Sequence, residues 1–501
     1  MNINKLDRSQ QKNLFFNIVI FLLIFFIAIR IPLDSDFWWH IRSGQLTVNN
    51  QQILLEDQTS FSNFGDSWIN HSWLAQLIYF LVYQTTGYLG VMLLVAILAT
   101  ISMFFVFKRL KGNRILSGFV ILLCVLATAV IWSPRPQLFS LVMFSILSYL
   151  IFDKGIPRSK KTFGLIISIF LLWGNLHAGF STGILLLILS FMGLVVDQIF
   201  QNEFSEKISK SNLIIWGVVI IISSLIVIIN PNGFGVWKVQ FDTISIPTLQ
   251  NLIPEWASPN FHELYQQPFL WIWILLVFFF MVNRSKFSFS EVLPFLVFGA
   301  MGFISRRNYV YFAVLAIPIL EREFNVFFDE IKNKKFFQSI SKWNMQKYNK
   351  NPKIWVSKLI NLSFVSILLF LIAGKIIYLG SPVVNNYYEE QHFPKNAINV
   401  IRSSGLTNER CLNSYAWGGY ISWQLPEMKI FIDGRTDLYG EKIIQDWLRM
   451  INAEENWQDD FDNYEITCVF LEKNYPIIDK LTGDSWNVYY EDDQSILVIN
   501  Q

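Results

Sequence analysis

Two carboxylates one residue apart, then two indoles and an imidazole, stand just beyond the first apolar run: Asp34-Ser35-Asp36-Phe37-Trp38-Trp39-His40. An aspartate so placed can take a proton from a hydroxyl, and a pair can hold a divalent cation such as Mg or Mn through oxygen ligands. Trp38 and Trp39 offer flat apolar faces to a sugar, although tryptophan pairs also anchor helices at a membrane interface. Anchoring needs no carboxylate, and an ionised group beside hydrocarbon is costly without a use. Asp34, Asp36 and His40 are therefore the catalytic candidates.

A second set of polar residues lies in turns between apolar runs. Arg135 is enclosed by prolines in Ser133-Pro134-Arg135-Pro136, where it can bind an anion or simply cap a helix end. Asn175 and His177 interrupt two runs in Trp173-Gly174-Asn175-Leu176-His177-Ala178-Gly179, and Asn230-Pro231-Asn232-Gly233 reads first as a helix stop. Glu255 sits in an irregular loop. Arg306 and Arg307 share a short turn, where a salt bridge to a carboxylate such as Glu255 competes with a phosphate partner held in bidentate geometry. Asn70, His71 and His262 complete the set. Lipid cannot solvate these groups, so they must face protein or water.

The elements that must position them follow from composition. A chain of 501 residues that is 53% hydrophobic, 16% charged and holds 46 phenylalanines, with mean hydropathy +0.37, is a polytopic membrane protein. Its net charge of +2 gives no footprint for nucleic acid. Apolar runs at 14–31, 88–107, 115–132, 136–152, 163–177, 179–200, 213–230, 268–282, 288–304, 308–321 and 358–380 predict about eleven spans. Lys5, Arg8 and Lys12 precede the first, which no cleavage site follows, so it reads as an uncleaved span with a cytoplasmic N-terminus.

Loop charge supports that topology. The segments 108–114 and 154–161 hold four bases each, and 322–357 holds eight bases against three acids. The opposite loops are acidic: 33–71 has five acids against one base, and 381–501 has twenty against nine. Counting His71 to Thr86 as a span would invert every later loop, so it is expected as an interfacial helix on the outer face. The base-rich 322–357 is expected as an amphipathic surface helix with a linker, set against anionic headgroups among the membrane lipids. All the candidate polar residues then share the outer face of the membrane, and the C-terminal part is expected to be extracytoplasmic.

From about residue 385 the apolar runs shorten to strand length, at 428–432, 466–471 and 494–499, with helical patterns near 395–404, 440–452 and 475–482. This predicts a transmembrane domain over 1–384, with outer loop 33–87 carrying the acidic motif, and a soluble α/β domain over 385–501. Asp433, Arg435 and Asp437 follow a predicted strand, where they form either a second binding surface or an internally paired turn. Cys411 and Cys468 could pair in an oxidising compartment, but two buried strand thiols are the expected state; Cys124 reads as a core residue. The sequence has no phosphate-cradling glycine loop, HExxH or GxSxG.

With these residues in place, the chain resembles the GT-C superfamily of polytopic glycosyltransferases, which use polyprenyl-phosphate-linked sugars. In that family a first span precedes a large outer loop that bears catalytic acids and interfacial helices. Within it the chain is most similar to bacterial membrane proteins with a D-x-D-x-W-W-H start, here Asp34 to His40, and a W-x-N-x-H turn, here Trp173 to His177. Their C-terminal W-G-G-Y and F-I-D-G-R-x-D-L-Y match Trp417 to Tyr420 and Phe431 to Tyr439. The resemblance implies transfer of a sugar from a polyprenyl-phosphate donor to a glycan, lipid or other hydroxyl acceptor. Asp34 or Asp36 would act as base or metal ligand, with Arg306, Arg307 and Arg135 on phosphate. His40, His71 and His177 would orient substrate. The oligosaccharyltransferase signature W-W-D-Y-G is missing, and Asp-Ser-Asp replaces the Asp-Glu of protein O-mannosyltransferases, so a protein acceptor is not implied. The alternatives are a non-catalytic transporter or flippase of lipid-linked glycans and a membrane assembly factor; neither a repeated half nor a midplane cluster of polar groups favours the transporter.

Overall fold

The computed structural model describes residues 8–500 apart from 155–159, 204, 206, 245, 249–252, 286, 333–353 and 482–485. The chain opens with α1 (Arg8–Ala28), α2 (Ser35–Asn50) and the long α3 (Trp73–Lys108). There follow α4 (Arg114–Thr128), α5 (Gln137–Phe152), α6 (Lys160–Leu176), α7 (Phe180–Ile199), α8 (Lys210–Ile226) and the short α9 (Gly235–Ile244). The bundle closes with α10 (Gln267–Asn283), α11 (Phe289–Ile304), α12 (Tyr309–Lys332) and α13 (Ile354–Leu379). With α2 and α9 set aside, each of the eleven apolar runs falls on one of these helices. α1, α3, α4, α7, α10 and α13 have the length and composition to cross a membrane, while α5, α6, α8 and α11 are apolar but shorter.

Gly87 breaks α3 (φ 60°, ψ −151°), a backbone conformation open to glycine and closed to most side chains. The helix expected from His71 to Thr86 is the segment before that break. The amphipathic element expected over 322–357 begins within α12, and residues 333–353 lie outside the described part.

Polar groups gather at the two ends of the bundle. At one end Arg109 pairs with Asp153 at 3.1 Å, Glu321 accepts from the Gly112 amide at 2.7 Å, and Asp197 accepts from the Phe289 amide at 3.0 Å. The other end carries α2, the loop after it and the candidate site.

Beyond α13 come α14 (Pro382–His392), α15 (Lys395–Ser404), β1 (Cys411–Asn413), α16 (Gly418–Gln424), α17 (Thr436–Ile451) and α18 (Trp457–Asn463). They are followed by β2 (Cys468–Glu472), α19 (Pro476–Leu481), β3 (Trp486–Glu491) and β4 (Ser495–Asn500). The sheet order is β1-β2-β4-β3, with β1 parallel to β2 and the other pairs antiparallel. The strand expected at 428–432 is not part of it. Ile430 instead bridges Ser60, exchanging backbone bonds with Thr59 and Phe61 of the loop after α2. The apolar pattern there marks burial, which a strand and an extended loop share.

The cysteine expectation is also corrected. Cys411 and Cys468 face each other across β1 and β2 and form a disulfide, while Cys124 is free and buried. One glycine lets the C-terminal part press onto the bundle here. A Cβ at Gly419 would meet the Trp39 amide nitrogen at 2.9 Å, so α16 lies backbone-close to α2. Trp38 fills the seam, its ring against Tyr420 (4.9 Å), Phe393 (5.7 Å) and Tyr83 (6.2 Å).

Candidate active site

The site begins with a helix cap. Asp34 is extended, and its Oδ1 accepts from the Asp36 amide at 3.0 Å, starting α2 and fixing Asp36 in its first turn. Arg135 enters from the Pro134–Pro136 turn between α4 and α5, whose carbonyl at Arg135 accepts from the Tyr79 hydroxyl at 3.1 Å. Its Nε reaches both oxygens of Asp34 at 2.7 Å. Its Nη1 reaches Asp36 at 3.2 Å and Glu255 at 2.9 Å. Residues 101 and 120 positions from Arg135 thus share one guanidinium.

Three carboxylates on one cation leave the knot with excess negative charge. Burial, opposed by Arg135 and reinforced by Asp34 and Glu255, pushes the Asp36 carboxyl up to about 6. Burial alone would lower Arg135, but its three carboxylates outweigh it and hold the guanidinium charged. Asp36 is thereby poised to accept a proton near neutral pH.

Three imidazoles adjoin the knot. His177 Nδ1 accepts from the Gly179 amide at 3.0 Å and lies 2.8 Å from the Ser140 hydroxyl, so the neutral ring carries its hydrogen on Nε2. Ser140 in turn accepts from Trp173 Nε1 at 2.7 Å. The His71 ring lies 6.0 Å from that of His177, and its Nδ1 is 3.7 Å from Asp437, which also accepts from Trp68 Nε1 at 3.1 Å. Burial holds all three rings below the ordinary imidazole value; Arg135 adds to this at His40, and Arg307 at His71 and His177. His40 Nδ1 is buried without a hydrogen-bond partner.

The arginine pair divides. The Arg307 guanidinium lies 4.6 Å from the Trp256 ring, and among the described residues no carboxylate stands within salt-bridge distance of it. Its amide donates to the Glu255 carbonyl at 3.2 Å, so the expected link between them exists through backbone while the Glu255 side chain serves Arg135. Arg306 instead donates to the Tyr265 hydroxyl at 3.2 Å.

Other candidates have structural duties. Trp38 is 1% exposed within its aromatic cluster and presents no face to a ligand. Asn175 accepts from Trp73 Nε1 at 2.9 Å and donates to the carbonyls of Leu171 and Ile229. Asp433 and Arg435 form a buried pair at 2.9 Å that reaches Asp57 at 2.8 Å, pinning the C-terminal turn to the loop after α2. Asp437, two residues on, belongs to the histidine end. The group foreseen as a second surface is therefore one staple and one site residue.

Two contributors escape sequence reading. Tyr415, after β1, faces Asp36, Asp433 and Asp437; burial and those charges keep its phenol protonated as a donor. Gly434 lies so close to Asp36 that a Cβ there would meet Oδ1 at 2.0 Å and Trp39 Nε1 at 2.7 Å. The W-G-G-Y and D-G-R-x-D motifs signal such close approaches without naming what approaches. We expect Gly434→Ala to displace the Asp36 carboxylate and lower kcat by about tenfold or more, since misplacement of a reacting group by 1 Å can cost 10²-fold. Unchanged kcat in a folded variant would place Asp36 outside the chemistry.

The same geometry bears on a divalent cation. Arg135 stands between the carboxylates, both oxygens of Asp34 are committed to it, and one also caps α2. Among the described residues no group of three or more His, Cys, Asp or Glu side chains has metal-ligating spacing. As arranged, the donor set suits a guanidinium rather than Mg or Mn.

No family model matches the chain, and no curated protein matches it by sequence. Solved structures do match. The archaeal oligosaccharyltransferase AglB from Archaeoglobus fulgidus, in complex with an inhibitory peptide and a dolichol-phosphate, aligns with TM-score 0.58 and 10% identity, covering 98% of this chain and 74% of that one. The Archaeoglobus fulgidus oligosaccharyltransferase in complex with Zn and sulfate aligns with TM-score 0.53 and 11% identity over 96% and 73%. ArnT from Cupriavidus metallidurans in the apo state aligns with TM-score 0.49 and 10% identity over 97% of each. The likeness to the oligosaccharyltransferase structures shows that this polytopic membrane protein has the GT-C fold.

Proposed function

We propose that the chain is a membrane glycosyltransferase that moves a sugar from a polyprenyl-phosphate donor to a hydroxyl of a glycan or lipid. The observation that carries this reading is the knot of Asp34, Asp36 and Glu255 on Arg135, set beside Arg307 on a GT-C fold. Asp36 takes the acceptor proton as the acceptor oxygen bonds to the anomeric carbon. The bond from that carbon to the phosphate oxygen breaks, and the lipid phosphate leaves with the electron pair. Arg135 is neutralised by its carboxylates, so the phosphate falls to Arg307, with Tyr415 as a neutral donor. His40, His71 and His177, uncharged at neutral pH, orient hydroxyls.

The C-terminal part, which we divide from the bundle at residues 384 and 385, supplies Tyr415, Gly434 and Asp437 and so belongs to the site. Two observations support an extracytoplasmic location at a bacterial inner membrane. The Cys411–Cys468 disulfide calls for an oxidising compartment, and the bases of 108–114 lie at the opposite end of the bundle.

Purified protein incubated with polyprenyl-phosphate sugars and candidate acceptors should release lipid phosphate and yield a glycosylated product by mass spectrometry. Folded protein that moves unmodified lipid-linked sugar across vesicles without transfer would overturn the reading in favour of transport. Turnover should also persist in EDTA, because the guanidinium already bridges the carboxylates. Loss restored by Mg or Mn would put a cation in that role.

A further inference from the structure

We propose a second ligand site, for an anionic phospholipid, in a groove at the end of the bundle remote from the aspartates. The groove, about 550 Å³, lies between α1, the last turns of α3 and the start of α4. That volume falls in the range of small-molecule pockets. Its walls are apolar, with Phe21 and Phe25 on one side and Phe104 on the other. Two bases, Lys108 and Arg114, close one end.

The charge at that end is unbalanced. Lys108 Nζ lies 5.2 Å from the Phe104 ring and the Arg114 guanidinium 5.5 Å from that of Phe107, so both lean on aromatic walls. Among the described residues neither has a carboxylate within salt-bridge distance, and no acid lines the groove. Lys108, in the last turn of α3, is favourably placed toward that helix's dipole. Arg114 opens α4, whose N-terminal amides are already served: Asn113 accepts from the Ile115 amide at 2.9 Å and Glu321 from the Gly112 amide at 2.7 Å, so the guanidinium itself is the group left without an anionic partner. An anion from outside the chain would satisfy both bases together.

The walls select a lipid over a soluble anion. From Asn17 to Phe25 the α1 side extends about 12 Å along the helix axis, an apolar track leading away from the bases. Phe104 is 39% exposed, so the track opens toward the surrounding lipid. Asn17 Oδ1, buried and without a hydrogen-bond partner, supplies an acceptor suited to a headgroup hydroxyl. A phosphatidylglycerol-like lipid, with an anionic phosphate, headgroup hydroxyls and acyl chains, matches all three features.

The test uses the full chain, purified in mild detergent, stripped of lipid and offered equal amounts of dioleoylphosphatidylglycerol and dioleoylphosphatidylcholine, with adducts counted by native mass spectrometry. Phosphatidylglycerol should be retained about tenfold over phosphatidylcholine, a preference of about 1.4 kcal/mol. Lys108→Gln with Arg114→Gln should bring the ratio to about one by removing both charges, while Lys154→Gln with Lys161→Gln leaves it unchanged. Leu22→Trp, which fills the track and keeps both bases, should lower retention of both lipids. Equal retention by the wild type, a preference that survives loss of Lys108 and Arg114, or an equal loss in the control pair would each overturn the proposal. None of these outcomes depends on glycosyl transfer.

Discussion

Asp36→Asn should yield a protein that folds and purifies like the wild type but turns over about 10²–10⁴-fold more slowly, the range for loss of a positioned general base. The substitution keeps the size of the side chain and leaves Arg135 with both oxygens of Asp34 and with Glu255. It removes a carboxylate whose affinity for protons is raised toward neutrality, and with it the group that can accept the acceptor proton. The pH profile gives a second readout. A base must be ionised to act, and Asp36 is pushed up to about 6, so kcat/KM should climb through that value and level off above it. The imidazoles are held below their ordinary value, so they stay uncharged across the plateau and add no second limb near neutrality. Undiminished turnover in Asp36→Asn, or a profile flat through pH 6, would remove Asp36 from the chemistry.

The apolar runs were legible because lipid imposes a strong rule: a span must be long and apolar wherever it faces hydrocarbon. The grouping of Asp34, Arg135 and Glu255 at one end of the bundle was legible for the same reason, since charge is excluded from the spans and collects where they end. Which charge meets which was not. The sequence places Arg306 and Arg307 side by side with equal claims on Glu255, yet a single turn sends Arg306 to Tyr265 and Arg307 to Trp256. Composition cannot resolve the side on which each residue of such a turn emerges. Residues 428–432 misled because an extended loop buried against Thr59 and Phe61 needs the same apolar alternation as a strand. The disulfide depended on two strands becoming neighbours across 57 residues, a tertiary fact with no local trace. Trp38 and Trp39 show the same limit at one-residue spacing: adjacent positions on α2 point one indole into an aromatic seam and the other toward Trp68 and His40.

Arg435→Met should destabilise the C-terminal part by about 3–5 kcal/mol, the range for breaking a buried ion pair from one side. Arg435 is 1% exposed and joins two carboxylates that have almost no water: Asp433 through Nε at 2.9 Å and Asp57 through Nη1 at 2.8 Å. Nη2 also donates to the Thr59 hydroxyl at 2.6 Å and the Tyr439 hydroxyl at 3.0 Å. Methionine fills much of the volume and supplies none of these donors, so both carboxylates lose their counter-charge inside the fold. The loss should depend on pH in a defined direction. Burial already raises the Asp433 carboxyl, and Arg435 pulls it back. Without the arginine its folded value climbs further above the unfolded value of about 3.9, so ionisation opposes folding at every pH above that point. The deficit should be largest near neutrality and should shrink in acid, read as the gap in apparent Tm between variant and wild type. Replacing Asp433 and Asp57 with Asn as well should recover much of the stability, because no buried charge is then left unpaired. The staple also holds the turn that carries Gly434 and Asp437, so turnover should return with the recovered fold. A triple variant as unstable as Arg435→Met alone would mean that the guanidinium acts through its packing and its bonds to Thr59 and Tyr439 rather than through charge.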